Sequence, residues 1–270
     1  MLKYKTKSYG FGKRRSVLAE RSSLRYQKGE FMMELKGKVI VFDGDSICHG
    51  GRTDVNGDNA GWAARVGNAF GMEWYNYSRG GATITGDMYQ ESTGLARHWI
   101  CRYIDEIHEK HPTLDYLILE GGTNDSDLIG IGSKKLGTMD PADYSGNYDD
   151  TTFIGGLESL FYKAINYYPT AKIGFIIAQK MGLPEVGYGP EFCRRYYFLK
   201  AIEVCKKWGI PYIDLWERSP LNPKLKCYYD PELTIEENIA EGKAYKDGQH
   251  LTDVGYDIVS GGIASFILSL

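Results

Sequence analysis

From about residue 36 onward, short apolar runs alternate with longer stretches of helical spacing, and this alternation narrows the fold more than any other feature of the chain. Strand-like runs occupy 38–42, 73–77, 116–119, 172–177 and 211–215, with helical stretches at 61–70, 94–110, 151–168 and 190–208 and a last helix at 252–268. Cys193, Tyr197, Ala201, Val204, Cys205 and Trp208 recur at intervals of three and four, as one face of a helix requires. Phe153, Leu157, Leu160, Phe161, Ala164, Ile165 and Tyr168 do the same. The strand-like runs are almost continuously apolar, the pattern of a parallel sheet covered on both faces. Strict β-α alternation with right-handed crossovers predicts one doubly wound α/β domain, a three-layer α/β/α sandwich around a five-stranded parallel sheet. Two long loops, 126–150 and 217–249, read as functional covers or insertions.

Composition limits what such a domain can do. The 270 residues are 43% hydrophobic and 25% charged, the make-up of an ordinary globular protein. No apolar run approaches the roughly 20 residues of a membrane-spanning helix, so no membrane partner is expected. The net charge of −3 is uneven: residues 1–30 hold nine lysines and arginines against two glutamates, a surplus of seven, leaving the remainder at −10. An acidic body argues against nucleic acid as the main partner, because phosphate binding needs a basic face. The leader lacks the apolar core of a signal peptide. Residues 1–32 are expected to be a basic arm, or to precede a true start at Met32 or Met33, with residues 33–270 forming the domain. Cys48, Cys101, Cys193, Cys205 and Cys227 are odd in number and form no C-x-x-C pair, so reduced thiols in a cytoplasmic protein are expected.

In doubly wound sheets ligands sit beyond the carboxyl ends of the strands, and the unusual residues of this chain fall there. Phe42-Asp43-Gly44-Asp45-Ser46-Ile47 follows the first strand. Such a turn can raise a serine hydroxyl out of the sheet, with Gly44 freeing the backbone, or it can be plain N-cap chemistry. Asn76-Tyr77-Ser78-Arg79-Gly80-Gly81-Ala82-Thr83 follows the second, where glycines permit a backbone N–H to face a reacting oxygen, or simply a flexible turn. Glu120-Gly121-Gly122-Thr123-Asn124-Asp125 follows the third, where the Asn124 amide is either an oxyanion donor or a buried turn residue. Asp247-Gly248-Gln249-His250-Leu251-Thr252 precedes the last helix, with a carboxylate three residues from an imidazole, the relation a Ser-His-Asp site needs. His49 is the rival base. His108 and His111 could pair on a metal, but a solvated helix end is the expected reading, and His98 lies beside them in sequence.

Taken together and in this order, the four segments resemble the blocks of the SGNH hydrolases, the GDSL-type esterases and lipases. The resemblance covers residues 36–268 and implies a flavodoxin-like fold. It also implies Ser46 as nucleophile, His250 as base and Asp247 as its orienting carboxylate. The oxyanion hole would be built from the Ser46 and Gly81 N–H groups and the Asn124 amide. The chain departs from the pattern at Ile47, where leucine is usual, and at Ser78, where many members carry glycine, which bears on the choice of Gly81 over Gly80.

The activity implied is hydrolysis of an ester through an acyl-enzyme, with no metal or organic cofactor. No G-x-S-x-G, G-x-x-x-x-G-K-[ST] or helix-opening G-x-G-x-x-G occurs, so an α/β-hydrolase site and nucleotide binding lack support. Tyr144, Tyr148, Tyr188, Trp216, Tyr228 and Tyr229 are expected at the rim, where flat rings suit sugars, or packed within their loops. A small-molecule ester with a short acyl group, acetyl on a carbohydrate, is the expected substrate. The alternatives are a non-catalytic carbohydrate-binding module on the same fold and an acyltransferase with the same triad.

Overall fold

A computed structural model describes residues 35–50, 61–86, 89–90, 95–96, 98–127, 136–182 and 194–270. The arm at 1–32, Cys193 and Tyr188 lie outside these. Five strands form one sheet: β1 (Val39–Asp43), β2 (Glu73–Asn76), β3 (Tyr116–Glu120), β4 (Lys172–Ile177) and β5 (Tyr212–Asp214). Their order across the sheet is β2-β1-β3-β4-β5, and every pairing is parallel. A separate two-residue antiparallel pair joins Tyr89–Gln90 to Leu95–Ala96.

The helices are α1 (Ser46–His49), α2 (Trp62–Phe70), α3 (Ile100–Lys110), α4 (Thr123–Asp127), α5 (Phe153–Tyr167), α6 (Arg194–Trp208), α7 (Leu215–Arg218), α8 (Ile235–Ala240) and α9 (Asp253–Ser269). Each strand is followed by a helix, so the chain crosses back over the sheet between parallel neighbours, as parallel pairing demands. Alternate strand residues enter two cores. Val41, Leu117, Leu119, Phe175 and Ile177 pack with α3, α5 and α6. Ile40, Phe42, Ile118, Ile176 and Ile213 pack with α2 and α9 on the other face. Covered on both faces, β1 and β3 carry no charged residue until their last positions, Asp43 and Glu120, whereas the edge strand β2 is partly exposed.

The expected sandwich of five parallel strands is present. Differences lie in the ends and in the loops. The stretch expected as a helix from 94 begins at Ile100, because its first residues enter the short antiparallel pair and a bridge from Trp99 to Thr83. The loop 217–249 holds α8, which is closed by a capping box between Thr234 and Glu237. Four short helices, α1, α4, α7 and α8, escaped the spacing argument because four to six residues are too few to show a period.

Strand order reverses on either side of β1 and β3, and such a switch point opens a crevice at the strands' carboxyl ends. Ser46 begins α1 directly after β1, and Asn124 lies in α4 directly after β3.

Candidate active site

Asp45 sits at the head of α1 in an extended conformation, and its Oδ1 accepts from the Ile47 N–H at 2.8 Å. This cap starts the helix at Ser46, whose side chain stays half-exposed while Ile47 and Cys48 are buried. Gly44 is needed for a reason other than a left-handed backbone, since it is absent from the positive-φ glycines. A Cβ there would come within 2.8 Å of Glu120 Oε2 and 2.9 Å of Cys48 Cβ. Two backbone bonds tie the turn to the sheet and its neighbour, Tyr77 N–H to the Phe42 carbonyl at 2.8 Å and Arg79 N–H to the Gly44 carbonyl at 3.0 Å.

His250 reaches Ser46 from the far end of the chain. Its Nε2 lies 2.9 Å from Ser46 Oγ, and its Nδ1 lies 2.7 Å from Asp247 Oδ2. Asp247 Oδ1 accepts from the N–H groups of Gln249 and His250 at 3.0 and 2.7 Å, so the carboxylate is oriented by its own turn. Burial would raise the Asp247 carboxyl, but the His250 ring and these backbone donors outweigh it and bring the pKa down to about 2. An ionised Asp247 fixes the proton on Nδ1 and leaves Nε2 free to accept from Ser46.

Segments distant in sequence hold this loop against the sheet. After β4, Gln179 Nε2 donates to the Gln249 carbonyl at 3.1 Å and the Gly182 N–H donates to the Gly248 carbonyl at 2.7 Å. Thr252 caps α9 immediately beyond. The rival His49 lies in the last turn of α1.

Gly81 has φ +79°, a left-handed conformation that favours glycine, and the space a Cβ would occupy holds no atom within 4 Å. Gly80 is equally open but needs no positive φ. The following segment is clamped from α4. Asn124 Nδ2 donates to the Ala82 carbonyl at 2.7 Å, and Asp125 accepts from the N–H groups of Ile84 and Thr85 at 2.9 and 3.1 Å.

The sequence reading missed the buried carboxyls behind this arrangement. Asp43 and Glu120 are the last residues of β1 and β3, and both are fully buried. Asp43 Oδ1 lies 2.9 Å from His98 Nε2, in a side chain only 4% exposed. Burial still pushes the Asp43 carboxyl above its ordinary range, despite His98 and the Arg79 charge. The signal was in the sequence: each carboxylate ends an apolar strand and precedes a glycine.

Other expectations need correction. His108 and His111 lie partly exposed at the end of α3, each also against a ring: His108 stacks on Tyr167 with centroids 4.2 Å apart, and His111 Nε2 lies 2.7 Å from the Tyr77 hydroxyl. Among the described residues no cluster of three histidines, cysteines or carboxylates could hold a metal. Tyr144 and Tyr148 do not rim the site. They close over Lys207 and Trp208 at the end of α6, just before β5 begins, and so at the amino end of the strands, opposite the site. Trp216 packs on Phe198 and under Arg195. Tyr229 does approach the site loop, its ring 3.1 Å from the Cβ position of Gly248. Cys48, Cys101 and Cys205 are buried and Cys227 exposed, all as free thiols.

Such a fold with a hydroxyl, an imidazole and a carboxylate in line defines a class of α/β hydrolytic enzymes. The profile of the GDSL-like Lipase/Acylhydrolase family matches residues 42–258, and the chain belongs to that family. Solved structures share the fold at low identity. A Lactobacillus plantarum protein aligns at 20% identity and TM-score 0.61 over 87% of this chain and 98% of its own. Est24, a carbohydrate acetylesterase from Sinorhizobium meliloti, aligns at 15% and 0.54 over 86% and 99%. The M. smegmatis aryl esterase aligns at 16% and 0.52 over 87% and 100%. No curated protein sequence matches the chain. No helix among the described residues is long and apolar enough to cross a membrane.

Proposed function

We propose that the protein is a serine esterase that hydrolyses a short-chain ester, acetyl on a carbohydrate being the favoured substrate. The observation that carries this reading is the line of contacts from Ser46 Oγ to His250 Nε2 at 2.9 Å and from His250 Nδ1 to Asp247 Oδ2 at 2.7 Å. His250 takes the hydroxyl proton as Ser46 Oγ bonds to the ester carbonyl carbon. The carbonyl oxygen then carries the negative charge, facing the N–H groups of Ser46 and Gly81 and the free N–H of Asn124. Collapse breaks the bond to the alcohol oxygen, which leaves with the proton from His250. Water, deprotonated by the same imidazole, attacks the acyl-enzyme and releases the acid and Ser46.

The acyl group is read as short because the backbone about Gly80 and Gly81 is open while no long apolar, uncharged stretch in the sequence suggests a deep acyl tunnel. The carbohydrate follows from Tyr229 beside Gly248 and from the substrate named for Est24.

The test is hydrolysis of p-nitrophenyl acetate, butyrate and octanoate by wild type, Ser46→Ala and His250→Ala. Turnover steepest for acetate and lost in both variants is expected. Activity on none of the esters, or undiminished activity in Ser46→Ala, removes the reading and leaves a binding module. An added sugar acceptor that diverts the acyl group from water identifies a transferase.

A further inference from the structure

Behind the Ser46 turn lie two carboxyls with no cation. Asp45 and Glu120 are both fully buried. Glu120 Oε2 accepts the Asp45 N–H at 3.1 Å, and the two side chains lie against one another. Asp45 Oδ2 and Glu120 Oε1 are each buried with no hydrogen-bond partner. Among the described residues neither forms an ion pair, whereas Asp43 nearby has His98 at 2.9 Å. Two adjacent carboxylates cannot both stay ionised out of water without a counter-charge, so the pair retains a proton. That proton also supplies the donor which the orphaned oxygens lack.

The geometry indicates which residue holds it. Asp45 Oδ1 already accepts from the Ile47 N–H at the start of α1, a bond and a position that favour a negative charge. Glu120 also accepts backbone N–H groups, from Asp45 and Cys48 at the head of α1, but burial first, and then the Asp45 charge, outweigh them and push its carboxyl well above the ordinary range. The groups facing the pair are Asp43 from β1, Cys48 from α1, Thr123 from α4 and His250 from the C-terminal loop. Of these only a protonated His250 would bring positive charge.

We propose that Glu120 is a positioning residue of the site, held as a neutral carboxylic acid that ties Asp45 to β3 and keeps a further negative charge from the oxyanion formed at Ser46. The inference rests on the esterase reading for its kinetic consequence, but not for the protonation itself. Gly44 belongs to the same device, since only a residue without a Cβ lets Glu120 Oε2 come so close beneath the turn. Ionisation of Glu120 at alkaline pH places a second charge behind the Ser46 N–H and weakens its hold on the oxyanion, so kcat falls as that proton is lost.

Glu120→Gln is a permanent copy of the protonated acid, with an oxygen for the Asp45 N–H and an N–H for the Asp45 carboxylate. Glu120→Ala removes both. With p-nitrophenyl acetate, Glu120→Ala is expected to lose about tenfold or more in kcat with a smaller change in KM. Glu120→Gln is expected to rescue that loss and to abolish the alkaline decline of wild-type kcat. A glutamine variant as impaired as the alanine one, or one with the wild-type alkaline decline, overturns the proposal. Infrared difference spectra of folded wild type and Glu120→Gln at pH 8 provide an arm independent of activity. A protonated-carboxyl band in wild type that the glutamine variant lacks supports the neutral acid, and no such band overturns it. Should wild type hydrolyse no ester, the esterase reading falls, and the infrared band alone decides the state of Glu120.

Discussion

Asn124 Nδ2 donates to the Ala82 carbonyl at 2.7 Å, while the next residue, Asp125, accepts from the Ile84 and Thr85 N–H groups. One turn of α4 therefore carries both the candidate amide donor and the clamp that shapes the loop bearing Gly81. Asn124→Ala is expected to lower kcat by about 10²–10³-fold, the usual cost of losing one oxyanion donor. Steady-state kinetics checks it. A kcat near wild type with reduced thermal stability would leave Asn124 as clamp alone.

Gly44→Ala drives a methyl group toward Glu120 Oε2 and Cys48 Cβ, at 2.8 and 2.9 Å before any relaxation. Overpacking of this kind typically destabilises by about 1–3 kcal/mol. Urea unfolding should show it, with Gly80→Ala as the comparison, since no atom lies within 4 Å of that position. Equal stability of the two variants would show that the turn yields without strain.

Asp247 has a folded-state pKa of about 2, against about 3.9 for an unperturbed aspartate. A depressed folded value stabilises the fold above the unfolded pKa, and the contribution disappears as pH falls through the folded one. The Tm difference between wild type and Asp247→Asn should therefore be fully present above about pH 5 and shrink as pH falls toward about 2. Other carboxylates cancel in that difference. A gap that does not change with pH would contradict the depressed value.

Lys207 and Glu158 form an ion pair with side chains only 3% and 4% exposed. Lys207 also donates to the Asp140 carbonyl at 2.7 Å and lies beneath the rings of Tyr144, Tyr148 and Trp208. Removing one partner of a buried pair typically costs about 3–5 kcal/mol, because the other charge is left uncompensated. Glu158→Ala should lose that much stability in denaturant unfolding, while its folded fraction keeps wild-type KM. A loss below about 1 kcal/mol would indicate that the pair is hydrated.

Much of this was legible in the chain itself. Apolar runs such as Ile40–Phe42 and helix faces such as Leu157, Leu160, Phe161 and Ala164 announce burial through their spacing, which is local information. Ser46, Gly81 and Asn124 were legible as candidates because they follow predicted strands, and Asp247 and His250 because they precede the last predicted helix. Tyr144 and Tyr148 were misplaced because a loop's composition does not reveal which end of the strands it packs against.

By itself, then, the sequence determined the alternation of strands and helices, the parallel sheet, and the residue types offered at each strand's mouth, because periodicity and turn chemistry act over a few residues. Only the tertiary structure decided which partners meet. The separation of 204 positions between Ser46 and His250 is closed by Gln179 and Gly182 gripping the last loop. The separation of 75 positions between Asp45 and Glu120 is closed by pairing of β1 with β3. Contacts of that separation depend on strand order and on how close two backbones can come, and neither is encoded at any single position.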